Sequence, residues 1–164
     1  MGLLREVVTS FHYDKKGFGL PLGNLASQLF ANVYMNELDQ FIKHKLKIKY
    51  YIRYADDFVI LSEDKTCLKG QLALIGDFLQ NKLSLTIHPD KIYIKTLYSG
   101  VNFLGWVNFF DHRVIKRRTK DIMFERLKEN SNPVTLSSYF GLLKHGNTQK
   151  VKNEVLKIYI ENYD

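Results

Sequence analysis

Tyr50-Tyr51-Ile52-Arg53-Tyr54-Ala55-Asp56-Asp57-Phe58-Val59-Ile60-Leu61 sets two adjacent acids inside a run otherwise rich in strand-forming residues. Aromatic and β-branched residues flank them on both sides, so the segment is predicted to be an antiparallel hairpin with Asp56 and Asp57 at its turn. Neighbouring side chains on an extended backbone point to opposite faces, so one of the two acids faces a given site, and the reading assigns that place to Asp56. A carboxylate on a rigid strand end suits a hard divalent cation, since Mg²⁺ takes one or two protein carboxylates together with substrate phosphates. The competing reading is ordinary solvated turn chemistry, which Asp-Asp also serves.

Outward from the hairpin, the periodicity turns helical on both sides. Upstream, Leu29, Val33, Leu38, Phe41 and Ile42 recur at helical spacing after the loop residues Gly23 and Asn24, predicting a long helix to about Lys47. Downstream, Asp64 is an N-cap candidate and Leu68, Leu72, Ile75, Leu79 and Leu83 form one stripe. Both stripes read as core. Residues 85–87 and 92–94 are predicted as short strands around His88-Pro89-Asp90, and residues 101–110 and 114–116 as a hairpin turning near Asp111-His112. Helices are then expected over about 119–129, over 135–145 with Gly146 as C-cap, and over 148–159. The order predicts an α+β fold, an antiparallel sheet packed on helices and followed by an all-helical part. Its boundary is set between Lys116 and Lys120, giving 1–116 and 117–164.

A chain of 164 residues, 45% hydrophobic, suffices for one cored unit, or a core with a small appendage. The net charge of +7 fits a polyanionic partner, although solubility alone accounts for such a balance. Arg113, Lys116, Arg117, Arg118 and Lys120 are the densest basic cluster, suited to phosphate contacts or to a solvated face. Cys67 is the only cysteine, which excludes an internal disulfide and points to a reducing compartment. No apolar run approaches the roughly 20 residues that span a bilayer, so no membrane association and a cytoplasmic protein are expected.

Tyr54-Ala55-Asp56-Asp57 resembles the Tyr-x-Asp-Asp box of reverse transcriptases, and three more segments match that family in the right order. Gly19-Leu20-Pro21-Leu22-Gly23-Asn24-Leu25-Ala26-Ser27-Gln28 resembles the loop that contacts template and incoming nucleotide. Leu85-Thr86-Ile87-His88-Pro89-Asp90-Lys91 is similar to the segment whose lysine lies near the nucleotide phosphates. Asn102-Phe103-Leu104-Gly105-Trp106 is similar to the primer grip. The Gly-x-x-x-Ser-Gln form, with Leu22 before Gly23, looks most like the diversity-generating retroelement branch, which is associated with misincorporation opposite adenine. Group II intron relatives more often show Gln-Gly and Ser-Pro there.

The resemblance implies a partial polymerase palm over 1–116 and a helical thumb over 117–164, belonging to an RNA-directed DNA polymerase. It implies two Mg²⁺ ions, for which Mn²⁺ can substitute, held by Asp56 and by Asp57 as an auxiliary ligand. It implies nucleotide and template contacts from Leu22, Gly23, Ser27, Gln28, Tyr54 and Lys91, and a primer grip at Phe103, Leu104, Gly105 and Trp106. The implied partners are an RNA template, a DNA or RNA primer and deoxynucleotides, with room for an accessory protein. Relatives carry another metal-binding aspartate in an Asp-x-x-x-x-Phe box upstream, and nothing before Gly19 fits it. The fingers and first palm strand are therefore expected to lie outside this chain, and the chain alone to polymerise little. The rival readings are a non-catalytic nucleic-acid-binding remnant and a group II intron or retron polymerase.

Overall fold

The computed structural model describes residues 25–162, and Glu6 ahead of them. By packing, the chain divides into two compact units, Met1–Ile92 and Tyr93–Asp164. The α+β class expected from sequence is observed, with five helices and two small antiparallel sheets among the described residues.

In the first unit, helix α1 (Leu25–Gln40) runs into a π-helical turn (Phe41–Lys45). The turn replaces the last part of the helix expected to reach Lys47, whose φ is 53°. Leu46 N–H closes it by donating to the Phe41 carbonyl at 3.0 Å. Widening the turn by one residue keeps both Phe41 and Ile42 on the core: Ile42 is fully buried, and Phe41 stacks on Phe78 with centroids 4.1 Å apart.

Strands β1 (Tyr50–Tyr54) and β2 (Asp57–Leu61) pair antiparallel in the predicted hairpin, Tyr54 opposite Asp57 and Tyr50 opposite Leu61. Helix α2 (Lys65–Leu83) begins at Asp64, whose carboxylate accepts from Thr66 N–H at 2.7 Å, and ends at Ser84 in the left-handed region. The core of this unit is Leu38, Ile42, Ile48, Ile75, Leu79 and Leu83, packed by Tyr51, Phe58, Ile60 and Phe78. Each such buried aliphatic side chain contributes roughly 1.5–3 kcal/mol. The Tyr34 hydroxyl ties α1 to α2 by donating to the Leu83 carbonyl. The α2 stripe is core as expected, but the first half of the α1 stripe is not: Leu29 and Val33 are 62% and 64% exposed. Periodicity identifies a face, and no described element covers this part of it.

The strands expected at 85–87 and 92–94 do not form. Their amides are spent locally, Leu85 N–H on the Leu79 carbonyl and Ile92 N–H on that of Pro89, around a 3₁₀ turn at Pro89–Lys91. Leu85 and Ile87 pack onto the core without any ladder.

The second unit opens with a three-stranded meander, β3 (Val101–Phe103), β4 (Trp106–Asn108) and β5 (Arg113–Ile115), in that order across the sheet. The predicted single hairpin missed the turn at Leu104-Gly105, where both residues have positive φ (50° and 80°), as a two-residue turn of type I′ demands. Helices α3 (Arg117–Glu129), α4 (Pro133–Leu143) and α5 (Gln149–Glu161) follow. Trp106 and Ile115 share one core with Met123, Leu127, Leu143 and Val155. The sheet thus packs with the C-terminal helices, and the packing division falls at Ile92/Tyr93, upstream of the 116/117 boundary.

Gly146 is not the expected left-handed cap. Lys144 is the helical C-cap of α4, and Gly146 is required by close approach instead: a Cβ there would collide with the Trp106 ring and lie 2.8 Å from the Arg113 carbonyl.

Candidate nucleotidyl-transfer site

Strand β1 alternates cleanly, and β2 does so except at the half-buried Val59, which lies opposite Ile52. Tyr51, Arg53, Phe58 and Ile60 face the core and α1, while Tyr50, Ile52, Tyr54 and Leu61 stand exposed on the other face. No third strand joins this sheet among the described residues.

Ala55 and Asp56 form the two-residue turn, Ala55 with φ of 53°. Both Asp56 and Asp57 are exposed, their carboxylates open to a ligand. Strand alternation, expected to aim Asp56 inward and Asp57 away, does not operate between them, because Asp56 lies in the turn and only Asp57 in the ladder.

The turn is held by residues that the motifs did not reveal. Arg53 Nη1 donates to the Ala55 carbonyl at 2.7 Å and to Asn32 Oδ1 at 3.1 Å. Its Nε and Nη2 donate to Asp39 Oδ1 and Oδ2 at 2.9 and 2.6 Å, and the Tyr51 hydroxyl donates to Asp39 Oδ1 at 2.6 Å. The fork geometry of guanidinium on carboxylate makes these charge-assisted bonds strong and directional. Hydrogen bonding from Arg53 holds the Asp39 carboxyl below its usual range, with the Tyr51 hydroxyl also lowering it against partial burial. Burial, and then the adjacent Asp39, push the Tyr51 phenol up. The only sequence signal for this network was a carboxylate on the half-buried side of α1 and an arginine at an inward position of β1.

Asn32 lies one helical turn beyond Gln28, so the acidic turn abuts the face of α1 that carries Gln28. Gln28 is exposed and Ser27 is buried at 8%. Leu22 and Gly23 lie outside the described residues. Tyr54 is 65% exposed beside the acids, and Lys91 is exposed at the end of its 3₁₀ turn. No three His, Cys, Asp or Glu side chains converge as a metal-ligand set among the described residues. Asp56 and Asp57 fit the carboxylate share of an Mg²⁺ site that substrate phosphates would complete.

In the second unit, Phe103, Leu104, Gly105 and Trp106 form the β3–β4 turn and its flanks. Trp106 is buried and Leu104 is 47% exposed. Lys116 N–H donates to the Gly105 carbonyl at 2.9 Å, tying the turn to the start of α3. The basic cluster divides: Arg113 lies over the Trp106 ring at 4.9 Å and donates to the His145 carbonyl, and Lys120 pairs with Glu154 at 2.6 Å. Lys116, Arg117 and Arg118 remain exposed at the N-terminus of α3, which has no acid in its first turn and no side-chain cap. Cations there oppose the helix dipole, a local cost that an anionic partner would relieve.

The model of the reverse transcriptase (RNA-dependent DNA polymerase) family matches residues 7–108. The chain is similar to the COX1/OXI3 intron 2 protein of Saccharomyces cerevisiae, 23% identical over 89% of this chain and 25% of that protein. It is similar to protein YkfC of Escherichia coli, 26% identical over 73% of this chain and 40% of that protein. It also matches the group II intron-encoded protein LtrA of Lactococcus lactis, 26% identical over 59% of this chain and 26% of that protein. The chain thus spans a quarter to two fifths of the length of these relatives.

Proposed function

The chain belongs to the reverse transcriptase (RNA-dependent DNA polymerase) family, and we propose that it supplies the Tyr-x-Asp-Asp hairpin, the primer-grip turn and the thumb of an enzyme that copies RNA into DNA in the cytoplasm. The observation that carries this reading is the turn: two open carboxylates on a rigid hairpin whose Ala55 carbonyl is gripped by an arginine anchored to α1.

Asp56 and Asp57 would hold the divalent ions, Mg²⁺ or Mn²⁺. Bound there, such ions would activate the primer 3′-hydroxyl and offset charge on the leaving pyrophosphate. Asp56 ranks first because Arg53 fixes the peptide that leads into it, whereas Asp57 is held only by its ladder partner. Gln28, Ser27, Leu22 and Gly23 would meet template and incoming nucleotide, with Tyr54 beside them, and Lys91 the nucleotide phosphates. Phe103 to Trp106 would hold the primer end, the backbone of Gly105 approaching it closely. Lys116, Arg117 and Arg118 would contact the nucleic-acid backbone. The functional palm then runs over 1–116 and the thumb over 117–164, and a strand carrying an Asp-x-x-x-x-Phe box would pair with the open β1–β2 sheet. Within the family, Leu22 and Ser27-Gln28 favour the diversity-generating branch over the group II intron branch, and an accessory protein would be a further partner.

Joined to a segment carrying that box, the chain is expected to extend a primer on RNA in an Mg²⁺-dependent manner. Asp56→Asn keeps the size of the side chain but removes its charge and should abolish extension, with Asp57→Asn milder. Undiminished incorporation by Asp56→Asn would refute the metal-ligand assignment. Alone, the chain should incorporate little, since a two-metal site draws carboxylates from more than one strand. The rival is a non-catalytic nucleic-acid-binding protein, which the exposed Lys116, Arg117 and Arg118 would also serve. Salt-sensitive RNA binding without incorporation in the joined protein would establish it.

A further inference from the structure

At the end of the β3–β4–β5 meander opposite the Leu104-Gly105 turn, two large aromatic rings stand in the open. Tyr98, in a 3₁₀ turn (Leu97–Ser99), stacks on Phe110, in the loop after β4, with centroids 5.6 Å apart and planes 18° apart. They are 79% and 69% exposed. Offset stacking uses one face of each ring on the other and leaves the outer faces bare.

The backbone that carries them is pinned. Gly100 N–H donates to the Leu97 carbonyl at 3.1 Å, and Phe109 N–H to that of His112 at 2.8 Å. Phe109 stacks on His112 at 4.7 Å and lies so close to Gly100 that a Cβ there would come within 3.0 Å of its ring. The exposed pair is therefore presented by an ordered loop.

Charge identifies the occupant. Lys95 precedes the Tyr98 turn and Arg113 follows the Phe110 loop, whereas the one carboxylate between them in sequence, Asp111, is paired with His112 at 2.7 Å. A flat apolar face in a cationic segment suits an anionic polymer with flat rings, that is, unpaired nucleobases on a phosphate backbone.

We propose that Tyr98 and Phe110 form a stacking platform for a single-stranded stretch of nucleic acid at the end of the meander opposite the Leu104-Gly105 turn. The platform rests on the nucleic-acid-binding reading above and adds to it a site that discriminates single strands from duplex.

The test is fluorescence anisotropy with the purified chain, a labelled single-stranded oligonucleotide and an RNA–DNA duplex of equal length. The Tyr98→Ala/Phe110→Ala variant should lose about tenfold in single-strand affinity, with an unchanged salt slope and unchanged duplex binding. Tyr98→Phe should retain affinity, and the wild type should quench 2-aminopurine placed in the single strand. Both rings are exposed, so circular dichroism melts should coincide. Unchanged single-strand binding by the double variant, or equal losses on both ligands, would overturn the platform while leaving nucleic-acid binding intact. No binding of either ligand by the wild type would overturn both. Self-association abolished by the double variant with oligonucleotide affinity unchanged would assign the rings to a contact between copies and overturn the proposal.

Discussion

Arg53 and Asp39 meet as a two-pronged ion pair, Nε to Oδ1 at 2.9 Å and Nη2 to Oδ2 at 2.6 Å, with side chains only 10% and 22% exposed. The guanidinium has donors to spare, and the third prong reaches the Ala55 carbonyl. One arginine thereby connects α1 to the turn that carries Asp56. This connection gives the turn a fixed place on the helix.

Arg53→Ala should destabilise the first unit by about 2 kcal/mol, the usual scale for hydrogen bonds to a charged group. It leaves Asp39 partly buried with only Tyr51 as a donor. Arg53→Lys should recover part of this, because a point charge cannot reproduce the fork. Urea unfolding followed by far-ultraviolet circular dichroism measures both, and a wild-type midpoint for Arg53→Ala would contradict the clamp.

The same pair makes stability depend on pH. The folded-state pKa of Asp39 is lowered, so its contribution is fully present above the unfolded value of about 3.9 and is lost as pH falls through the folded value. Asp39→Asn should be less stable than wild type at neutral pH, and the gap should narrow under acid. Urea midpoints compared at neutral and acidic pH give the sign, and a gap that widens on acidification would be the wrong one.

Gly105 has φ of 80°, and a Cβ added there would stand 3.2 Å from Thr119 Oγ1. Gly105→Ala should cost about 1–3 kcal/mol through backbone strain. The Thr119→Ala/Gly105→Ala double variant should recover none of the strain component, since removing the Thr119 hydroxyl and methyl relieves the side-chain approach but does not change φ. Thermal melts decide between the two sources of the loss.

Leu127 is wholly buried in the cluster that contains Trp106, the single tryptophan. Leu127→Ala should destabilise the second unit by about 2–5 kcal/mol. Tryptophan fluorescence during denaturant unfolding reports on that core directly, and a loss below 1 kcal/mol would show that the cavity collapses.

What could be read from the chain before folding was whatever neighbouring residues decide among themselves. The β-rich flanks around Asp56-Asp57 specified the hairpin, the α2 stripe specified a buried face, and four ordered boxes pointed to the family that the comparison then showed. Alternation, turn chemistry and helical periodicity act over a few residues, and they leave their marks in order along the chain. Tertiary structure decided the rest. It spent the amides around Pro89 on local turns, left Leu29 and Val33 exposed, split the expected β-hairpin at Leu104-Gly105, and brought Asn32, Asp39 and Tyr51 together around the Arg53 guanidinium. Those outcomes depend on which distant surfaces meet and how far apart they come to rest. Pairing of that kind is settled by the packing of whole elements and leaves no periodic trace in the residues that take part.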